Sequence, residues 1–299
     1  MSISRPGLFT TVQDLGRWGH QSSGVPVSGA MDRCSHRLAN RLVGNDDSDA
    51  TLEVTLLGPE IAFTGETVVA VAGALFDLAL DGAPMAIHER IAVRSGSILK
   101  WGGRRQGARA YLAVEGGVDV PLILGSRSTH VLTGMGGLDG RALRAGDRLT
   151  TVDRSTAGRN AGLSASAPFA VPGDGAVLRT IPGEAQLFEQ LARSAFHVSA
   201  RSDRMGYRLE GPIVHSAGGE LISASVATGT VQVTPTGQAI LLMADHATTG
   251  GYPVAGTVIA ADVPVAAQLA PGNVVRFTAC SLAEADAALR NQEAAFGGG

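Results

Sequence analysis

The sequence predicts a mainly β fold, and two observations support this prediction. Forty glycines are spread along the 299 residues, often beside Asp, Asn, Pro or Ser, so that turns separate many short segments. Each half of the chain also carries a glycine turn just before its final strand, at 143–149 and at 269–275. This echo suggests two related β-barrel-like domains, although two unrelated strands that need similar turns explain it equally well.

Composition divides the chain into two predicted domains joined by a linker. Residues 153–175 are rich in Ala, Ser, Gly and Pro, which is typical of a linker. We therefore predict an N-terminal β-barrel-like domain over 1–155, a linker over 156–175 and a C-terminal β-barrel-like domain over 176–299 that ends in a helical tail.

Local patterns predict the elements of the first half in turn. A helix is expected over 32–43, with Asp32 as N-cap and Gly44 just past its end. The turn Asp81-Gly82 lies between alternating segments and predicts a hairpin. Short apolar or alternating runs predict strands at 8–12, 51–57, 60–64, 68–72, 76–80, 85–87, 91–93, 97–101, 108–114 and near the end of 141–152.

The second half repeats the β pattern between two predicted helices, which lie over 183–194 and 281–296. The last three glycines are expected to fray. Strands are predicted at 178–181, 207–210, 221–223, 230–234, 239–244, 257–260 and 274–277.

Charge and cysteine content exclude several classes of protein. With 44% apolar and 17% charged residues and a net charge of −3, the chain gives no reason to expect nucleic acid or a membrane surface as partner. Cys34 and Cys280 are too few for a disulfide framework or a zinc cluster. No signal peptide and no apolar run of bilayer length are visible, so we expect a cytoplasmic protein.

Several cofactor signatures are missing from the sequence. It contains no P-loop, no HExxH and no GxSxG motif. Lys100 is the only lysine and does not lie in a biotin attachment site, and the seven histidines show no metal-ligand spacing. We expect no metal and no covalently bound cofactor.

The segment from Asp245 to Pro253 is the strongest site candidate. A carboxylate, an imidazole, two hydroxyls and two glycines follow the apolar run 239–244, where a buried strand ends. Strand ends that open into glycine-rich loops expose backbone N–H groups to ligands. The candidates here are Asp245, Thr248, Thr249, Gly250, Gly251 and Tyr252.

Three further polar groups are possible sites. The N-terminal loop carries Gln13, Asp14, Arg17, His20, Gln21, Ser28 and Asp32 within 20 residues, and its alternative interpretation is a solvated surface loop. In the run 125–130, Arg127 and Thr129 suit a carboxylate or phosphate, or form a plain turn. In the run 202–207, Asp203 orients Arg204 or caps a turn, and Tyr207 follows.

Read together, these segments resemble one protein family. The runs that carry the resemblance are 6–17 (PGLFTTVQDLGR), 24–32 (GVPVSGAMD), 38–45 (LANRLVGN), 125–129 (GSRST), 202–209 (SDRMGYRL) and 248–253 (TTGGYP). They resemble the biotin-dependent carboxyltransferase-like family, which includes allophanate hydrolase subunit 2, the Kip antagonist and the C component of 5-oxoprolinase. The resemblance spans nearly the whole chain.

The resemblance implies a fold, a partner and an activity. It implies two cyclophilin-like β-barrels with a few short helices, and a heterodimer or heterotetramer with a B-type partner that is similar to the Kip inhibitor. Because no carboxylase or amidase domain accompanies the sequence, we expect the C component of a 5-oxoprolinase. With the A and B components it would open 5-oxo-L-proline to L-glutamate using ATP, and it would be inactive without these partners.

Two alternatives to this function stay open. One is the carboxyltransferase half of an enzyme that acts on urea or a related amide, with biotin carried in trans. The other is a regulatory antagonist of a Kip-type histidine kinase inhibitor, which would need exposed apolar surface instead of a polar cleft.

Candidate roles follow from residue type. Asp14 and Asp245 are the predicted catalytic residues, as acceptors from an amide N–H. Arg127 and Arg204 would bind a substrate carboxylate, and the backbone at 250–251 would stabilise negative charge on oxygen. The predicted substrate-binding residues are Arg17, Ser28, Arg127, Thr129, Arg204, Tyr207, Thr248, Thr249, Gly250, Gly251 and Tyr252.

The sequence also departs from the family pattern near these residues. Ala224 stands where members usually carry Glu, and His246-Ala247 replaces the more common Arg-Gln. Thr234 and Thr236 stand where Pro and Asp are typical. Because the missing Glu and Arg are charged, these departures bear on substrate class.

Overall fold

A computed structural model describes residues 1–152, 171–216 and 222–297, and it divides the chain into two compact units. Unit 1 comprises Met1–Arg17 and Ser28–Val171, and unit 2 comprises Trp18–Val27 and Pro172–Gly298. The division of the chain at 156–175 stays a prediction, and residues 153–170 around that linker lie outside the described residues.

Unit 1 is built on an eight-stranded sheet. Its strand order is β1-β4-β8-β3-β2, and β5 pairs with β6, β7 and the other edge of β8. A two-stranded ribbon of β9 and β10 accompanies the sheet. The elements are β1 (Ser2–Arg5), β2 (Phe9–Gln13), α1 (Arg33–Val43), β3 (Thr51–Thr55), β4 (Glu60–Ala62), β5 (Thr67–Leu80), β6 (Ala83–Met85), β7 (Ile91–Val93), β8 (Ile98–Val114), β9 (Val118–Asp119) and β10 (Thr150–Thr151).

Two long strands dominate this sheet where the sequence predicts four short ones. β5 and β8 pair over most of their lengths, with irregular register between Gly73 and Leu78. These bulges let one strand continue through a stretch whose apolar alternation is interrupted. The predicted hairpin is confirmed, because Asp81 and Gly82 both have positive φ and connect β5 to β6, as a type I′ turn requires.

Helix α1 has the predicted ends. The Asp32 side chain accepts a hydrogen bond from the Ser35 N–H at 2.9 Å, and Gly44 closes the helix in the left-handed conformation. The helix packs on β5 and β8, and its buried apolar residues include Leu38 and Leu42.

Unit 2 is a closed seven-stranded barrel in the order β11-β18-β15-β16-β13-β12-β19, with a separate ribbon of β14 and β17. Residues such as Leu178, Tyr207, Val231 and Leu241 are buried in this unit. The elements are β11 (Gly175–Pro182), α2 (Ala185–Ala192), β12 (Phe196–Val198), β13 (Gly206–Glu210), β14 (Ala224–Ser225), β15 (Thr230–Val233), β16 (Ala239–Leu242), β17 (Thr249–Gly250), β18 (Val254–Val258), α3 (Val263–Ala267), β19 (Val274–Ala279) and α4 (Leu282–Gly297).

Some predicted elements differ from the observed ones. In the strand predicted at 221–223, Leu221 lies outside the described residues, and the short strand observed is β14 at 224–225. Helix α3 was not predicted, because five residues that include a proline carry too little periodicity. The strand predicted near the end of 141–152 is β10, and the predicted turn before it is held by Arg141, which donates to the Asp147 carboxylate at 2.7 Å.

The predicted mainly β class with two barrel-type sheets is confirmed, and the sheet closes fully in unit 2. The predicted helices at 32–43, 183–194 and 281–296 are α1, α2 and α4. None of the helices in the described parts of the chain combines the length and apolar character that a membrane span requires.

Candidate functional site

Two of the polar groups singled out in the sequence meet in unit 1. Asp14 follows β2, and its carboxylate accepts hydrogen bonds from the Gly16 N–H at 2.8 Å and the Ser126 hydroxyl at 2.7 Å. It also accepts from the Arg127 N–H and the Ser128 hydroxyl. We call Asp14, Arg17, Ser126, Arg127 and Ser128 the Asp14 centre. Asp14 and Arg17 of the N-terminal loop and the run 125–130 are therefore one structure, whereas His20 and Gln21 belong to unit 2.

The Asp14 carboxylate is buried and engaged by four donors. Such an arrangement fixes the loop that donates to the carboxylate. The Ser128 hydroxyl also accepts from the Asp14 N–H at 3.0 Å, so each segment holds the other. This geometry gives Asp14 a positioning role toward 126–128, and its catalytic role stays a prediction.

Three predicted substrate-binding side chains support the backbone of this centre. Arg17 is 1% exposed and donates from Nη2 to the Ser128 carbonyl. The Ser28 hydroxyl donates to the Thr129 carbonyl at 3.1 Å, and the Thr129 hydroxyl donates to the Val12 carbonyl at 2.9 Å. All three side chains are buried, so their observed contacts are with the protein itself.

Arg127 differs from its neighbours in the centre. Its backbone N–H is held by Asp14, while its side chain is 26% exposed. One guanidinium nitrogen lies 3.4 Å from Asp119, which is itself half exposed, and Nε is buried without a hydrogen-bond partner among the described residues. Guanidinium binds carboxylates through two parallel N–H groups. Arg127 is thus the cation of this centre best placed to take an anionic ligand.

Gly136 and Gly137 pack against residues 128 and 129 beside the Asp14 centre. A Cβ on Gly136 would lie 2.0 Å from the Ser128 carbonyl oxygen, and one on Gly137 would lie 1.9 Å from the Thr129 hydroxyl. Both glycines have positive φ. Bare backbone is therefore required here for close packing against 128–129.

The other two polar groups meet in unit 2. Arg204 precedes β13 and Asp245 follows β16, and their side chains form two parallel hydrogen bonds of 2.9 and 3.0 Å. Both side chains are 7% exposed. The Asp245 N–H also donates to the Arg204 carbonyl at 2.8 Å. This buried pair joins the two loops, and each charge is matched by the other.

The neighbours of this pair are mainly structural. Tyr207 is buried, and its hydroxyl donates to the Ala267 carbonyl at 3.4 Å. His246 contacts the Ala247 carbonyl through Nδ1 at 2.6 Å, and burial lowers the pKa of its imidazole. The imidazole of His246 is therefore uncharged at neutral pH.

The segment Thr248–Pro253, which we call the motif loop, is held by strand β15. Gln232 on this strand is 4% exposed and donates from Nε2 to the Tyr252 carbonyl at 3.2 Å. A Cβ on Gly250 would lie 2.4 Å from the same nitrogen. Glycine at 250 is therefore needed for the amide of Gln232 to pack against the loop.

A pocket of about 820 Å³ opens beside the motif loop. Gly251 and Tyr252 line it, together with Thr234 and Thr236 of the turn that follows β15. The departure at Ala224 also lies close, because this residue pairs with Gly250 in the β14–β17 ribbon. Arg204, Tyr207 and Asp245 do not line the pocket. Three positions at which the resemblance leads us to expect other residue types, Ala224, Thr234 and Thr236, thus lie near the motif loop.

Sequence reasoning missed three contributors to these sites. Gln232 lies within a predicted strand, where a single amide among apolar residues gives only a weak signal. Ser126 and Ser128 belong to a recognised motif, yet their bonds to Asp14 join segments more than 110 residues apart and have no local signature.

The chain is similar to carboxyltransferase proteins over most of its length. Residues 23–279 match the family described as "Carboxyltransferase domain, subdomain A and B". It is 39% identical to the C component of the 5-oxoprolinase of Escherichia coli, over 99% of this chain and 96% of that protein. It is 38% identical to the C component of the 5-oxoprolinase of Haemophilus influenzae, over 95% of this chain and 92% of that protein.

Solved structures also match this fold. The crystal structure of the Kluyveromyces lactis urea carboxylase superposes with a TM-score of 0.90 at 32% identity. The match covers 98% of this chain and 28% of that one, so the chain corresponds to about a quarter of that larger protein.

Proposed function

The chain belongs to the carboxyltransferase family of subdomains A and B, and from this membership we propose that it is the C component of an ATP-dependent 5-oxoprolinase. The reaction would open the lactam of 5-oxo-L-proline to give L-glutamate. The observation that carries the proposal is the end-to-end match to two proteins named as C components of 5-oxoprolinase. These matches cover 96% and 92% of the two relatives, so the proposal rests on nearly their whole lengths.

We propose that the chain works only in a complex with its partner proteins. The B component, of the Kip-inhibitor type, would form a heterodimer or heterotetramer with it, and the A component would complete the enzyme in the cytoplasm. ATP would be used by the complex. Because this sequence has no P-loop, the ATP site would lie on another component. The two buried, free cysteines are compatible with a reducing compartment.

Arg127 is the residue that we propose binds the substrate carboxylate. Its guanidinium is partly exposed, its Nε–H lacks a protein partner among the described residues, and its backbone is fixed by Asp14. Arg204 is a weaker candidate, because its guanidinium is already matched by Asp245. Asp14, Arg17, Ser28 and Thr129 would then act by holding this segment in place.

The test is 5-oxoproline-dependent ATP hydrolysis by this chain reconstituted with the A and B components. A charged hydrogen bond is worth about 1.5–3 kcal/mol, so Arg127→Ala should lower kcat/KM by roughly tenfold or more. Arg105→Ala is the matched control, because Arg105 is an exposed arginine of unit 1 that also pairs with an aspartate. Equal activity of the two variants would remove Arg127 from the site.

A second candidate function is carboxyl transfer to urea or a related amide, with biotin carried in trans. The superposition on a urea carboxylase structure favours it. Biotin would have to be carried by another protein, because the only lysine, Lys100, lies in no attachment motif. Its Nζ is 3.7 Å from a carboxylate oxygen of Glu60 on the sheet of unit 1. Carboxylation of urea by this chain with a carboxybiotin carrier would support this candidate over the first.

A further inference from the structure

A buried carboxylate and a buried phenol form a hydrogen-bonded pair in unit 1, from side chains other than those of the Asp14 centre. Glu53 of β3 lies opposite Tyr111 of β8 in the antiparallel register, and both residues are 0% exposed. Residues that are opposite each other on antiparallel strands have neighbouring side chains on one face of the sheet. The Tyr111 hydroxyl donates to Oε2 of Glu53 at 2.8 Å.

The Tyr111 hydroxyl keeps its proton and is both donor and acceptor. Burial raises the pKa of this phenol, and the negative charges of Glu53 and Asp32 raise it further. The hydroxyl hydrogen is directed to Glu53, so the oxygen is left to accept. It accepts from the backbone N–H of Asp32 at 2.7 Å.

Together the two side chains hold two consecutive peptide groups. Oε2 of Glu53 accepts from the Met31 N–H at 2.9 Å, next to the bond from the Asp32 N–H to Tyr111. Met31 and Asp32 are buried, and a buried N–H group without an acceptor is costly. The Glu53–Tyr111 pair therefore fixes the backbone at 31–32, immediately before helix α1.

The same segment contacts the Asp14 centre through its first residues. The Ala30 N–H donates to the Asp14 carbonyl at 2.8 Å, and the Ser28 hydroxyl donates to the Thr129 carbonyl at 3.1 Å. A Cβ on Gly29 would lie 2.8 Å from the Gly16 nitrogen, so the segment packs closely on the residues that follow Asp14. Residues 28–32 thus connect the Glu53–Tyr111 pair to both runs of the Asp14 centre.

Ser28 shows that this connection is under constraint. Its φ is 59°, in the left-handed region that a residue with a Cβ enters only at a cost in free energy. Such conformations persist where the surrounding contacts hold them, and they are frequent near functional sites. The contacts of 28–32 at both of its ends are contacts of this kind.

We propose that Tyr111 and Glu53 are positioning residues of the Asp14 centre, which act through 28–32 and set the place of the Arg127 guanidinium. The inference rests on the proposed function, in which Arg127 binds the substrate carboxylate. Asp14 accepts from the Arg127 N–H, so a displacement of Asp14 displaces the Arg127 backbone as well. Both side chains of the pair are fully buried and contact the protein, so their effect on a ligand is indirect.

The first experiment is hydrogen–deuterium exchange of the full chain without partners, read by mass spectrometry of peptides that cover 28–32 and 126–129. Tyr111→Phe removes one oxygen and keeps the ring. We expect amide exchange in both peptides to become at least about fivefold faster, with exchange in the β5–β6 hairpin unchanged. Ser97→Ala is the matched control, because the Ser97 hydroxyl also donates to a carboxylate of unit 1, that of Asp81, at 2.7 Å.

A second variant keeps the test valid if Tyr111→Phe does not fold. Ser28→Gly removes the hydroxyl that reaches Thr129 and relieves the left-handed strain. It should speed exchange at 126–129 and leave exchange at 31–32 unchanged. Exchange at 126–129 that is equal in the wild type, Tyr111→Phe and Ser28→Gly would overturn the proposal.

The second experiment measures KM and kcat for 5-oxo-L-proline in the reconstituted enzyme. Tyr111→Phe should raise KM at least about threefold and change kcat less than about twofold, and it should not change KM further when Arg127→Ala is already present. A merely structural role would lower the melting temperature and leave KM unchanged, and this result would overturn the proposal. If the complex had no activity, the proposed function would fail, while the exchange experiment would still decide whether the pair positions 126–129.

Discussion

At the scale of single residues, the two predicted catalytic carboxylates are the most heavily bonded acids of their sites. Asp14 accepts four hydrogen bonds, and Asp245 forms a bidentate pair with Arg204. A carboxylate held in this way anchors the segments that donate to it, because its oxygens are already engaged by the protein. We therefore propose Arg127, whose guanidinium is partly exposed, as the residue that contacts the ligand.

The buried pair in unit 2 gives the first stability prediction. Asp245→Ala leaves the Arg204 charge buried without its matched carboxylate, and such a break costs about 3–5 kcal/mol. Denaturant unfolding should show this loss, whereas Asp286→Ala, in an exposed pair with Arg290, should change stability by less than about 1 kcal/mol. Similar losses for the two variants would mean that the buried pair contributes no more than a surface one.

His36 gives a prediction about pH. Burial lowers the pKa of its imidazole to about 4, and the charges of Asp14, Glu53 and Asp47 offset this only in part. Nε2 lies 3.0 Å from the Asp47 carbonyl, and this hydrogen bond also offsets part of the lowering of the pKa. Below pH 6.5 the unfolded chain takes up a proton that the folded chain refuses, and stability falls as the pH drops from 6.5 towards 4.

The size of this effect can be measured at two pH values. From pH 7 to pH 5, His36 should account for a loss of about 2 kcal/mol in the free energy of unfolding. His36→Gln cannot take up this proton, so its stability should depend less on pH over the same interval. An unchanged pH dependence in the variant would show that other groups are responsible.

At the scale of elements, glycines of the segment 125–137 differ in what surrounds them. Gly125 and Gly137 both have positive φ, but a Cβ at 125 meets nothing within 4 Å, whereas one at 137 meets the Thr129 hydroxyl at 1.9 Å. Gly125→Ala should therefore cost only the backbone strain, about 1–2 kcal/mol.

Gly137→Ala should cost that strain plus the displacement of 128–129 in the Asp14 centre. We expect its loss of stability in thermal unfolding to exceed that of Gly125→Ala by at least about 1 kcal/mol. Equal melting temperatures for the two variants would contradict the tight packing described here.

Elements with local signals were predictable from the sequence. Helix α1 is marked at both ends, by Asp32 and Gly44, and the β5–β6 hairpin is marked by Asp81-Gly82. The lengths of β5 and β8 were not predictable, because the pairing of the two strands is interrupted by bulges. The position of a bulge depends on the register between the strands, which the local sequence does not show. The glycine turn within 143–149 was predictable, but the bond from Arg141 to Asp147 that holds it has no local signature.

The candidate sites show the same limit. Sequence motifs located the run 125–129 and the motif loop, because unusual polar and glycine content marks them. They did not show that Asp14 accepts hydrogen bonds from the run 125–129, or that Gln232 donates to the motif loop. These contacts join separate segments of the chain. Such contacts decide which polar groups remain open to a ligand.

At the scale of the whole molecule, each unit carries its own polar centre on its own sheet. In unit 1, Asp14 accepts from the backbone N–H of Arg127. In unit 2, Gln232 of β15 donates to the Tyr252 carbonyl of the motif loop. The family to which the chain belongs, and full-length relatives that are named as one component of 5-oxoprolinase, indicate work within a larger assembly.

The most direct measurement is the rate of ATP hydrolysis as 5-oxo-L-proline is added to the A and B components, with and without this chain, with L-glutamate measured as the product. We predict that substrate-dependent hydrolysis and glutamate formation need all three proteins and fall at least about tenfold with Arg127→Ala. Full activity of the two partners without this chain, or no glutamate with all three proteins present, would contradict this claim.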